Sequence, residues 1–117
     1  MGADNIKSKI LFDINVPTGG YTPQQAGKVL SMNDSFNKYK IIIFEVFGGY
    51  GSGDNFSSLW ILSESIIYNN TTVKDSFGEY SIEPSPNEYL QFYFRDDKSI
   101  YVTYNEYTRL RRVFGIN

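Results

Sequence analysis

The chain contains no cysteine and no histidine among its 117 residues. The first absence excludes a disulfide framework and any thiolate metal site. The second removes the commonest general base, proton shuttle and zinc ligand. Ser–His and Cys–His nucleophile systems are therefore ruled out, and a hydrolase built on this chain would run on carboxylates alone. Long hydrophobic runs are also missing, so neither a membrane-spanning helix nor a signal-peptide core is expected in this sequence. Charge is close to balanced, with 11 Lys and Arg against 13 Asp and Glu for a net −2. That gives no electrostatic reason to expect nucleic acid or an anionic membrane as partner. Good helix formers never gather into a long run.

What the chain does have is aromatics: 10 Tyr, 9 Phe and 1 Trp, or 17% of its residues. Tyr and Phe suit a pleated, half-buried surface, so the composition leans toward strands. The length is that of one domain. In "KILFDINV", Ile10, Phe12, Ile14 and Val16 alternate with Leu11, Asp13 and Asn15, as in a half-buried strand. "PTGGYTPQQAGK" is a turn-rich loop. "VLSMND" has the length of a short strand, and "SFNKYK" reads as a connection or one helical turn. The near-continuous apolar run at 39–47 suggests a strand covered on both faces or the central strand of a sandwich. "SSLWILSES" is the return strand. "GEYSIEP" is another, closed by the prolines of "EPSPNE".

The last third is a hairpin followed by a final strand. Leu90, Phe92 and Phe94 share one face of "EYLQFYFR", and Tyr89, Gln91 and Tyr93 share the other. "DDKS" is the turn. Ile100, Val102 and Tyr104 then alternate with Tyr101 and Thr103. In "RLRRVFGIN", Leu110, Arg112 and Phe114 alternate with Arg109, Arg111 and Val113. The expected fold is all-β: an antiparallel β-sandwich or jelly-roll-like domain of about 7–9 short strands. Residues 1–9 read as a linker or cloning remnant, and residues 10–117 as a single β-sandwich domain.

The stretch "FGGYGSGDNF" tests for phosphate binding. Gly48 and Gly53 have P-loop spacing, but Asp54 stands where the lysine belongs. The segment that follows reads as a strand, so no helix N-terminus is available to hold an anion. The stretch is a hairpin loop. Tyr50 at its tip, with Asp54 and Asn55 behind, pairs an aromatic face with planar polar groups, which is what a sugar requires. The acidic turns at Asp54–Asn55 and Asp96–Asp97 lack calcium-loop spacing, and no metal or cofactor is expected. Glu45, Glu64, Glu79 and Glu88 are the carboxylates on or near strands. Glu45 interrupts "IIIFEVF" and must face solvent, pair, or line a site. Arg109, Arg111 and Arg112 form a basic cluster that most simply pairs with acids or covers apolar surface with its stems. A lone Trp in a strand, such as Trp60, is more often core than ligand platform. Tyr89, Tyr93 and Tyr101 would form a second aromatic face, suited to another sheet, another subunit or a ligand.

"LSMNDSFNKYKIIIFEV", the glycine-rich hairpin, "SSLWILSES" and the end "RRVFGIN" together resemble the small C-terminal β-domains of bacteriophage tail fibre and related virion proteins. The matching residues are Leu30, Ser31, Tyr39, Ile41, Ile43, Phe114, Gly115 and Ile116, and the resemblance spans roughly residues 28–117. It implies a non-enzymatic, commonly homotrimeric domain on the virion surface that contacts host cell-surface saccharide. On this reading the ligand-binding candidates are Tyr50, Asp54, Asn55, Trp60, Tyr89, Tyr93 and Tyr101. The alternatives are a trimerisation or capping domain with no ligand, and a secreted carbohydrate-binding module.

Overall fold

A computed structural model describes residues 7–14, 24–49, 55–68 and 79–117. They form eight strands: β1 (Ser8–Asp13), β2 (Val29–Ser31), β3 (Ile41–Phe47), β4 (Phe56–Leu62), β5 (Glu79–Ser85), β6 (Glu88–Asp96), β7 (Ser99–Glu106) and β8 (Arg109–Ile116). Single 3-10 turns lie at Phe36–Lys38 and Ser63–Ser65. The strands make two antiparallel four-stranded sheets, ordered β1-β8-β3-β4 (the front sheet) and β2-β7-β6-β5 (the back sheet). The fold is thus an all-β sandwich, with β3 in the interior of the front sheet as the run of Ile, Phe and Val suggests. Among the described residues no helix is long and apolar enough to cross a membrane.

The two sheets close on an aromatic centre. Phe44 of β3 lies 4.8 Å from Phe92 and 5.5 Å from Phe94 of β6. Phe36, in the turn before β3, meets Phe94 edge-on at 5.0 Å. Edge-on and tilted contacts bring positive ring edges to negative ring faces, which adds to the gain from burial. Ile42, Val46, Leu90, Ile100, Val102, Leu110 and Val113 complete the buried core.

Three β-bulges decide which side chains reach that core, and each breaks a simple alternation. A bulge inserts one extra residue on one strand and changes the parity beyond it. In β1 the register passes from Ile10↔Phe114 to Phe12↔Val113, leaving Leu11 as the extra residue. Leu11 is therefore fully buried and Phe12 packs on the core, while Ile10 turns outward at 43% exposure. In β8 the extra residue is Arg111, between Glu45↔Arg112 and Val46↔Leu110. Leu110 and Val113 both point inward as a result, where alternation paired Leu110 with Phe114. In β7 the extra residue is Thr103, between Gln91↔Tyr104 and Phe92↔Val102. Tyr104 moves from the expected core face to the outer one, and Asn105 turns inward instead.

Buried Asn105 has work there. Its Oδ1 accepts from the Ala26 amide at 2.8 Å, and its Nδ2 donates to the Thr108 carbonyl at 3.1 Å. Gln25 acts likewise at the start of β8, accepting from the Leu110 amide at 2.7 Å and donating to the Leu110 carbonyl at 3.1 Å. Two amide side chains thus satisfy buried backbone groups that no strand reaches.

Two boundaries also move. β1 begins at Ser8, so Ser8 and Lys9 pair with Ile116 and Gly115 and belong to the sheet, not to a leading linker. β5 runs through Pro84 to Ser85, beyond the expected stop. Proline is tolerated because β5 is an edge strand and its register shifts between Ile82 and Ser85.

Candidate interaction surfaces

The five ligand-binding candidates among the described residues do not converge. Tyr50 and Asp54 lie outside the described residues. Asn55 is exposed, but its side chain is committed to the base of the hairpin. Its Nδ2 donates to Glu88 Oε1 at 3.0 Å, and its carbonyl accepts from the Gly48 amide at 2.8 Å. Glu88 also accepts from the Gly49 amide at 3.3 Å and from the Ser85 hydroxyl. These bonds, Ser85 foremost, hold the Glu88 carboxyl below its ordinary pKa. Glu88, carried in from the back sheet, thus holds the base of the front-sheet hairpin. A Cβ on Gly48 would stand 2.5 Å from Glu88 Oε1, so a side chain here would push the Glu88 carboxylate out of its bonds.

The tyrosines lie on the outer face of the back sheet. Tyr89 stacks on Tyr104 with centroids 5.2 Å apart, and Tyr93 stacks on Tyr101 at 5.3 Å. Tyr93 is only 1% exposed, so it is not part of an open face as expected. It sits on an interior strand between Glu79 of β5 and Tyr101 of β7, whose ring covers it. Desolvation raises its phenol pKa. Tyr104 supplies the open ring instead, at 43% exposure. It pairs across the strands with Gln91, the residue between Tyr89 and Tyr93 on the same face. Sequence alternation assigned Tyr104 to the core, and nothing in "YVTYNE" marks the bulge at Thr103 that turns it out.

The Tyr104 hydroxyl donates to Glu106 Oε2 at 2.6 Å. That bond and the carboxylate charge favour the neutral phenol and push its pKa up to about 12. The folded value lies above the unfolded one, so the favourable contribution is complete below about pH 10 and is lost as pH rises through about 12. Ultraviolet titration of the protein against Tyr104→Phe is expected to show a difference absorbance with its midpoint near 12. Glu106→Gln is expected to return that midpoint toward 10. A midpoint already near 10 in the unaltered protein would mean that the hydroxyl–carboxylate bond is not kept in solution.

Trp60 lies on the opposite side of the molecule, outside the core and 63% exposed. Its indole N–H donates to Ser58 Oγ at 3.2 Å. Directly paired residues in an antiparallel sheet share a face. The pairs Ile10↔Phe114, Phe114↔Ile43 and Ile43↔Trp60 therefore draw one apolar row across all four front strands. A second row runs through Ile116, Ile41 and Leu62. No protein-family model, curated protein or solved structure matches this chain. Its surfaces are therefore the basis for a functional reading.

Beyond the rows the front face is charged and internally paired. Arg111 reaches Glu45 at 3.9 Å and lies 5.8 Å and 5.7 Å above the rings of Phe47 and Phe56. Arg112 Nε is 3.4 Å from Asp13 Oδ2. Arg109 is buried and donates to the Thr108 carbonyl at 3.2 Å. The arginines pair or cover apolar rings, and Glu45 takes the paired option of the three open to it. An open cleft of about 490 Å³ borders Leu62 and is lined by Lys38, Lys40, Glu64 and Asn117 among others. Part of its lining is already engaged, since Lys38 pairs with Asp34 at 3.2 Å and Asn37 accepts from the Tyr68 hydroxyl at 2.7 Å.

Proposed function

We propose that the protein is a non-enzymatic attachment domain of the virion-fibre kind, acting outside the cell by binding a cell-surface saccharide on the outer face of its back sheet. The observation that carries this reading is the stacked Tyr89–Tyr104 pair with Gln91 beside it. A sugar ring offers an apolar C–H face and a rim of hydroxyls. An exposed aromatic takes the first, and planar amides and carboxylates take the second. Tyr104, half-buried Tyr89 and Tyr101, the Gln91 amide and the Glu106 carboxylate bring both kinds of group to one surface. The surroundings of Trp60 fit a sugar less well. Its cross-strand neighbour is Ile43, and the row continues through Phe114 and Ile10, so its surroundings are apolar. The likeness of residues 28–117 to fibre-end domains supports the class of protein, and the reading needs no metal or cofactor. The other reading, a fibre-capping or trimerisation domain with no ligand, draws its support from the apolar front face.

A glycan array probed with the whole protein, followed by nuclear magnetic resonance titration of each hit, tests the proposal. Tyr104→Ala is expected to weaken monovalent binding at least ~10-fold, about 1.4 kcal/mol, as truncating an aromatic anchor at a binding surface does. Trp60→Glu is expected to leave monovalent binding unchanged. Failure to bind any saccharide or intact host cells overturns the reading, as does binding that ignores Tyr104.

A further inference from the structure

We infer that the apolar front face is a self-association surface, on which the same face of a second copy of this chain docks. This does not depend on saccharide binding at the back sheet.

Area is the first argument. Ile10, Trp60 and Leu62 are 43, 63 and 53% exposed. With side chains of ~150–250 Å² they present ~300 Å² of apolar surface, before half-buried Ile41, Ile43, Phe114 and Ile116 are added. A standard protein–protein interface takes ~800 Å² from each partner, with a little over half of it apolar. The front face meets that requirement, and it reaches the ~300–600 Å² of the largest apolar patch on a typical monomer.

Charge is the second argument, and it selects the occupant. Most protein surfaces carry a net charge and repel their own copy. Here the charged flank holds Glu45 with Arg111 and Asp13 with Arg112, two of each sign already in pairs. The apolar rows carry no charge. Copy can therefore meet copy without like-charge contact, whereas an acidic or basic partner would find nothing to complement.

The third argument is the edge. β4 reads FSSLWIL, seven residues without charge, proline or glycine. Natural edge strands are usually protected by such residues. This one lacks them, and it forms the margin of the same apolar face.

The geometry follows from symmetry. A two-fold axis in the interface, parallel to the strands, places β4 of one copy over β1 of the other. Trp60 at one margin then lies against Ile10 at the opposite margin, twice, in a closed isologous pair. The chain is 13.4 kDa and has no cysteine, so noncovalent association is read directly as a doubling of mass.

The test is sedimentation equilibrium across the micromolar range, with the fluorescence of Trp60, the one tryptophan, followed on dilution. The unaltered protein is expected to reach twice the chain mass, and its emission to move to longer wavelength as dilution separates the copies. Trp60→Glu and Ile10→Glu, on opposite margins, are each expected to weaken association at least ~30-fold, as loss of an interface anchor does. Both positions are exposed, and circular dichroism checks that the variants stay folded. Tyr104→Ala is expected to stay dimeric. A protein that remains monomeric throughout, or a dimer that tolerates Trp60→Glu, overturns the inference. So does a trimer. A monomer whose Trp60 emission responds to a saccharide assigns the face to a ligand and overturns it too.

Discussion

Phe44→Ala is expected to cost the domain about 3–5 kcal/mol, the usual range for emptying a fully buried phenylalanine site. Phe44 has no solvent exposure, and its ring touches Phe36, Phe92 and Phe94. It is the point where the front sheet, the back sheet and the turn before β3 meet. Its neighbours are strand-borne rings held by two hydrogen-bonded ladders, so they cannot collapse far into the gap. Domains of this size are stable by about 5–15 kcal/mol, so the substitution removes at least about a fifth of the total. Urea unfolding followed by far-ultraviolet circular dichroism measures the loss. A cost below about 1 kcal/mol, the level of an average substitution, would contradict a core centred on this ring.

Gly115→Ala is expected to destabilise by about 1–3 kcal/mol although it adds a single methyl group. The cause is not backbone strain but a ring. A Cβ at Gly115 would lie 2.5 Å from Tyr39 Cγ and 2.6 Å from Cδ2. Tyr39 cannot simply swing aside, because its hydroxyl donates to Asp34 Oδ2 at 2.9 Å. Asp34 is itself anchored by the Ser35 amide and Lys38, and these bonds hold its carboxyl well below the usual range. β8 pairs on both sides at this point, with Lys9 and with Ile42, so the backbone has no free direction either. Thermal unfolding should show the melting temperature falling by roughly 4–8 °C per kcal/mol. In the Tyr39→Ala background the same methyl group should cost much less, with a coupling of about 1 kcal/mol or more in a double-mutant cycle. Additive effects would mean that ring and methyl group do not collide.

The sandwich was legible because most of its strands announce themselves by composition: "IIIFEVF", "LWIL", "LQFYF" and "IYVTY" are β-branched and aromatic runs between turn residues. The position of β3 inside its sheet followed from the length of its apolar run. Facing was harder. Each of the three bulges changes parity after one residue, and Leu11, Thr103 and Arg111 carry no local mark of being extra. A bulge is fixed by the partner strand, which lies far away in the sequence. That is why Ile10 and Tyr104 were placed on the wrong faces and why Asn105 was not foreseen as a buried bond-former.

The candidate surfaces were legible in kind but not in place. An aromatic-rich chain must put some rings outside, and among the tyrosines of β6 and β7 Tyr104 is exposed while Tyr93 is buried. Which ring is open depended on the bulge that swaps Tyr104 outward while Tyr93 stays covered. The front apolar face had only a weak signal. In "FSSLWIL" both alternate sets end in apolar residues, Leu59 and Ile61 on one side and Trp60 and Leu62 on the other. The sequence alone does not say which set finds a core. Nor does it show that Ile10, Phe114 and Ile43, from three distant stretches, line up with Trp60.

The place of β8 has a consequence for how the molecule comes into being. It lies between β1 and β3, so among the described residues it is the strand that joins β1 to the rest of its sheet. It is also the last of the eight described strands to leave the ribosome. Until it emerges, β1 has no strand partner among the described residues, and the β3–β4 hairpin lacks the neighbour of β3. The β5–β6–β7 meander is complete by then but covers only half a core. A protein arranged in this way waits, part-made, for its closing strand. During that wait the uncharged strand FSSLWIL is accessible to every other unfinished chain on the same message.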